Sequence, residues 1–73
     1  MSEPVDVPID DVVIRLGQFL KLANLIDSGS EAKMVIAQGL VRVNDEVELR
    51  RGRQLQVGDL VVLAGNKVRV SEG

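Results

Sequence analysis

The stretch SGSEAKMVIAQGLVRVNDEVEL, Ser28 to Leu49, limits what this chain can become more than any other. Its apolar spacing changes from helical to alternating at a glycine. Ser28 and Glu31 have the spacing of a capping box: the hydroxyl accepts from the amide three residues on, and the carboxylate accepts from the serine amide. Ala32, Val35 and Ile36 then share one helical face, and Gly39 suits the residue after the helix, where a positive φ costs glycine little. Beyond it, Val41, Val43, Val47 and Leu49 alternate with Arg42, Glu46 and Glu48, the pattern of two half-buried strands.

The register of that hairpin follows from keeping one face apolar. A two-residue loop at Asn44-Asp45 sets Val43 opposite Glu46 and Val41 opposite Glu48. An odd loop or a bulge sets Val43 opposite Val47, Val41 opposite Leu49 and Arg42 opposite Glu48. Because a one-residue slip reverses every side chain, the odd loop is expected, with Arg42 pointing away from the core.

The rest of the chain supplies the remainder of one small core. Leu16, Phe19, Leu20 and Ala23 follow helical spacing, and Asn24 is placed to end that helix. Phe19, the sole aromatic residue, is thereby assigned to the core. Val12, Val13 and Ile14 suit a short strand at the edge of the sheet. Gly58-Asp59 reads as a turn, and Leu60 to Ala64 as a strand. A two-residue loop at Gly65-Asn66 then pairs Leu63 with Val68 and Val61 with Val70. Residues 1–10, with Pro4, Pro8 and several acids, read as an acidic, extended and partly mobile arm, leaving 11–73 as a single domain. At this length about 60% of the unfolded surface is buried, so stability is expected to be modest.

Composition removes several classes of function. With no cysteine and no histidine, thiolate chemistry, the commonest general base and the commonest metal ligand are missing. Asp10-Asp11 and Asp45-Glu46 fall in segments read as exposed, where no pocket raises a carboxyl pKa. No catalytic set, metal site or cofactor motif emerges. The start lacks the regions of a signal peptide, and no apolar run approaches the ~20 residues that span a bilayer. A cytoplasmic protein with no membrane contact is the expectation.

The formal charge is −2, but it is unevenly spread. Residues 1–14 hold four acids and no base, whereas residues 15–73 hold all nine Lys and Arg against seven acids, a local +2. Arg50, Arg51 and Arg53 fall within four residues, with Gly52 breaking the strand so that a loop displays them. Guanidinium forks match phosphate oxygens, so phosphate contact is expected; the plain alternative is pairing with Glu46 or Glu48. The helix start at Ser28-Gly29-Ser30 offers free amides and a positive dipole end to an anion. Arg15, Lys33, Arg50, Arg51 and Arg53 can surround that start if the arginine loop folds back toward it.

Four motifs in this order resemble a known family. They are Arg15-Leu16 with Leu20, Ser28-x-Ser30-Glu31-Ala32-Lys33, Ile36-x-x-Gly39-x-Val41-x-Val43-Asn44, and Val57-Gly58-Asp59. Together they resemble the alpha-L RNA-binding motif typified by small-subunit ribosomal protein S four, and in particular its small stand-alone bacterial members. The resemblance covers residues 15 to about 63. It implies an α+β fold with two short helices packed on a small, mostly antiparallel sheet. It also implies non-catalytic binding of structured RNA, ribosomal or transfer RNA, by a monomer that can act on the ribosome. Carried over by position, it points to Arg15, Ser28, Ser30, Lys33 and Asn44. Many members have aspartate at Gly17, arginine at Gly29, a basic residue at Ala37 and Asn-Gly at Asn44-Asp45; the three loop arginines are available to replace the lost cations. The full expected contact set is Arg15, Ser28, Gly29, Ser30, Lys33, Arg42, Asn44, Arg50, Arg51 and Arg53. The rival reading is a protein-interaction module, in which the hairpin or the last strand docks on a partner.

Overall fold

A computed structural model describes residues 3–73. Seven strands and two helices follow one another along them: β1 (Val5–Ile9), β2 (Val13–Arg15), α1 (Leu16–Leu22), α2 (Gly29–Ala37), β3 (Val41–Val43), β4 (Glu46–Val47), β5 (Gln54–Gln56), β6 (Leu60–Leu63) and β7 (Asn66–Glu72). Five of the strands form one sheet in the order β1-β7-β6-β3-β4, antiparallel except for the β1–β7 pair. β2 and β5 form a separate antiparallel ribbon. Both helices pack on one face of this framework. Leu16, Phe19, Leu20, Ala32 and Ile36 from the helices meet Val41, Val43, Val61, Leu63, Val68 and Val70 from the sheet, with Leu55 from the ribbon. The α+β architecture is therefore the one the motifs imply, and Phe19 is completely buried.

The helix boundaries follow local chemistry. Ser28 caps α2 by accepting from the Glu31 amide at 3.2 Å. The Glu31 carboxylate reaches one residue further back than a capping box requires, accepting from the Asp27 amide at 2.7 Å. Gly39, at φ +75°, ends the helix, and Asn24, at φ +62°, ends the turn after α1.

Four expectations are corrected. Residues 5–9 are not a mobile arm outside the domain: they are extended, but they pair with β7 from Val5↔Val68 to Ile9↔Glu72, and Ile9 is buried. The first two residues of that expected arm lie outside the described segment. As the edge strand, β1 tolerates Pro8, which has no amide to donate. Residues 13–15 join β5 in the ribbon instead of the edge of the main sheet.

The hairpin takes the register that apolar matching disfavours, with Val43↔Glu46 and Arg42↔Val47 across a two-residue turn. Asn44 (φ +52°) and Asp45 (φ +70°) both adopt the left-handed conformation that such a tight turn demands. Val47 and Leu49 are exposed and Glu48 is buried; the tight turn sets this register, and pairing with Arg50 and Arg53 offsets the cost of burying the Glu48 carboxylate. Arg42 nevertheless points away from the core, as expected. The last hairpin turns at Ala64-Gly65, one residue earlier than expected, which pairs Leu63 with Asn66 and Val61 with Val68. The shift in pairing is two residues, so every side chain keeps its predicted face.

Candidate nucleic-acid interface

The arginine loop, residues 50–53, is anchored through its backbone to the start of α1. The amide of Leu16 donates to the Arg53 carbonyl at 2.8 Å, and that of Gly17 to the Arg51 carbonyl at 3.1 Å. These carbonyls satisfy two of the donors that a helix start leaves open. The loop thus folds back toward the helices, the condition on which the expected basic surface depended.

Its three arginines part company there. Glu48 is 7% exposed and holds two of them. Its Oε2 accepts from Arg50 Nε at 3.0 Å and from the Arg50 amide at 3.0 Å, and its Oε1 accepts from Arg53 Nη1 at 2.7 Å. Hydrogen bonds from Arg50 first and Arg53 second hold the Glu48 carboxyl at about 2, well below its ordinary 4.5, against the opposing effect of burial. The expected display of three free guanidiniums is therefore corrected: Arg50 and Arg53 share one internal counter-anion, although Arg50 stays largely exposed, and Arg51 is the loop arginine with no carboxylate within 4 Å among the described residues.

Arg51 lies against α1. A Cβ on Gly17 would stand 2.9 Å from Arg51 Cγ, so the side chain crosses the helix where only a glycine leaves room. From there it shares a shallow cleft with Arg15 and Lys21, floored by Gly17, Ala32 and Gly29 at the first turn of α2. Among the described residues no carboxylate comes within 4 Å of any of these three cations. Lys33 is four residues after Gly29, on the same side of α2 and one turn further along.

The cleft combines cations with a helix start. Ser28 uses its oxygen on the Glu31 amide, while Gly29 and Ser30 are exposed. Asp27 and Glu31 flank this start and offset part of the dipole field, so the cations matter more here than the helix end alone.

Two expected residues fall elsewhere. The Asn44 side chain is committed to the fold: its amide donates to Asp59 Oδ1 at 3.1 Å and its oxygen accepts from the Leu60 amide at 3.0 Å. These bonds tie the hairpin turn to the turn before β6. Arg42 stands on the sheet face opposite the helices, away from the cleft. The residue that motif reading missed is Lys21, which was visible only as the polar side of α1; the folded-back loop makes it a neighbour of Arg51.

Comparison with known proteins bears on the family and the fold. The S4 domain family profile matches residues 7–71. Over 65 residues the chain is 51% identical to the probable ribosome maturation protein RlbA of Bacillus subtilis, covering 89% of each protein. It is 39% identical over 57 residues to the putative RNA-binding protein YbcJ of Escherichia coli, covering 78% of this chain and 81% of that one. The solution structure of E. coli YbcJ, described as revealing an alpha-L motif involved in RNA-binding, superposes with a TM-score of 0.72 at 33% identity over 97% of this chain and 91% of that one. The 30S ribosomal protein S4e of Thermoplasma acidophilum shares the fold, with a TM-score of 0.63 at 23% identity over 82% of this chain and 32% of that one.

Proposed function

The chain belongs to the S4 domain family, and from that premise we propose that it binds structured RNA without catalysis, ribosomal RNA foremost. The observation that carries this reading is the convergence of Arg15, Lys21 and Arg51 on the first turn of α2 with no carboxylate within 4 Å among the described residues. Three unneutralised cations on a protein of net charge −2 mark a place where a polyanion gains most. The names of the B. subtilis and E. coli relatives point the same way and favour ribosomal over transfer RNA.

The mechanism is electrostatic and geometric. Arg15, Lys21, Arg51 and Lys33 neutralise phosphates and displace condensed counterions, while the exposed amides of Gly29 and Ser30 orient the backbone. With Phe19 completely buried, no aromatic face is open to stack on a base. Selectivity therefore rests on the shape of folded RNA. The protein works where ribosomal RNA matures, in the cytoplasm; among the described residues no helix is long and apolar enough to cross a membrane.

The test is RNA affinity against salt concentration for the wild type, Lys21→Gln, Arg51→Gln and Arg50→Gln. Each cleft variant is expected to make the slope of log K against log salt shallower by roughly 0.7–0.9. Arg50→Gln, whose side chain already has a partner, is expected to change it less. Equal slopes for the wild type and the cleft variants reject the cleft.

One observation favours the rival reading. Leu40, Val47 and Leu49 around the β3–β4 hairpin are each at least 50% exposed, an apolar patch suited to a protein partner. That reading requires a purified partner whose binding survives nuclease and is lost on Val47→Asp.

A further inference from the structure

The outer face of the five-stranded sheet carries a second set of cations. Register fixes which side chains share it: Arg42 pairs with Val62, Val62 with Lys67, and Leu60 with Arg69. Their partners in alternation, Val43, Val61, Val68 and Val70, are buried against the helices, so Arg42, Lys67 and Arg69 stand on the far side. Arg42 and Lys67 flank the half-buried Val62 in one row across three strands. Strand spacing puts their backbones about 10 Å apart, and Arg69 is about 7 Å along β7 from Lys67. All three are exposed. The acid that register places on this face is Asp6, beside Arg69 on the edge strand, and among the described residues neither it nor any other carboxylate comes within 4 Å of these cations.

We propose that this sheet face is a second phosphate-binding surface, on which Arg42, Lys67 and Arg69 hold a second segment of RNA while the cleft on the helix side holds the first. The proposal rests on the RNA-binding reading above. Charge complementarity selects the occupant: three clustered cations without a counter-anion suit a polyanion. The face has no aromatic residue, so it contacts the sugar-phosphate backbone and not the bases. Val62 and Leu60, their cross-strand neighbours on this face, offer apolar surface to the aliphatic stems, an arrangement that leaves long basic side chains free to keep their charged ends in solvent. The domain is thereby a spacer, gripping folded RNA from two opposite sides.

The experiment uses the full chain and a labelled RNA hairpin of about 16 base pairs, the length that a shape-reading domain spans. Stoichiometry is measured by sedimentation at low salt, and affinity across a salt series. The variants are Arg42→Gln/Lys67→Gln/Arg69→Gln and, for the cleft, Lys21→Gln/Arg51→Gln. Glutamine keeps much of each stem, and thermal melting confirms that both fold. The wild type is expected to bind two hairpins, and each variant one. The sheet variant is further expected to lose the weaker site, whose salt slope is about 2–3 for three phosphate contacts. A wild type that binds one hairpin, with unchanged affinity and slope in the sheet variant, overturns the sheet face and leaves the cleft intact. Loss of all binding in the sheet variant with none in the cleft variant overturns the cleft reading instead. A sheet face that binds poly-glutamate more tightly than the hairpin belongs to an acidic protein and also overturns the proposal. No binding by the wild type removes both.

Discussion

Glu48 Oε1 and Arg53 Nη1 lie 2.7 Å apart, and the same carboxylate holds Arg50 through its second oxygen. This one buried acid decides which arginines of the loop carry a counter-charge and which does not.

Glu48→Gln is expected to destabilise the fold by about 1.5–3 kcal/mol at neutral pH, the range for hydrogen bonds to a charged group. The carboxyl is held at about 2 in the folded protein against an ordinary 4.5, so its stabilisation is complete above about pH 4.5. It is lost as the pH falls through about 2, where folded and unfolded states bind the proton alike. The gap in unfolding free energy between wild type and variant is therefore expected to shrink from pH 4.5 downward. Urea titrations at several acidic pH values measure it; a gap that stays constant to pH 2 contradicts the pairing.

Gly17→Ala separates positioning from stability. Alanine favours the helix by up to about 1 kcal/mol, while its Cβ, 2.9 Å from Arg51 Cγ, forces that side chain off α1. Melting is expected to stay near that of the wild type while RNA affinity falls several-fold. Calorimetry paired with an RNA titration checks both. An unchanged affinity would show that Arg51 does not need its place against Gly17.

Asn44 and Asp45 carry the strained turn. Asp45→Gly relieves a φ of +70° and is expected to raise the melting temperature by roughly 2–4 °C, for about 0.5 kcal/mol. Asn44→Ala loses two hydrogen bonds that join two turns, at about 1–3 kcal/mol. Thermal melts of the two variants should move in opposite directions.

Ile9 tests whether β1 belongs to the domain. It is 5% exposed, so Ile9→Ala is expected to cost about 2–4 kcal/mol. A loss under about 0.5 kcal/mol in a denaturant titration would return residues 5–9 to the status of a tail.

The sequence made the helices legible because their signals are local. Ser28, Glu31 and Gly39 mark the ends of α2 within a dozen residues, and Phe19 reveals its burial by spacing alone. The sheet faces were legible for the same reason: Val61, Leu63, Val68 and Val70 stay inside even though their turn slipped by a residue. What stayed hidden depends on partners far along the chain. Glu48 looks like a solvent-facing residue until Arg50 and Arg53 close on it. Lys21 belongs to the cleft only because the carbonyls of residues 51 and 53 dock on α1. Arg42 was expected in the contact set and pointing away from the core; it does point away, on the sheet face opposite the cleft, so it cannot share a surface with the helix start. Charge counting found the cations but not their grouping into two surfaces.

β1 and β7 lie side by side although Val5 must wait for Val68. In a growing polypeptide the first strand is thus made early and accommodated late, with its backbone open throughout the interval. Asp6, Asp10 and Asp11 within and after that strand put like charges along the open edge, the kind of residue that disfavours its pairing with a second copy. Acids that add nothing to the basic surfaces are thus suited to an edge that pairs last.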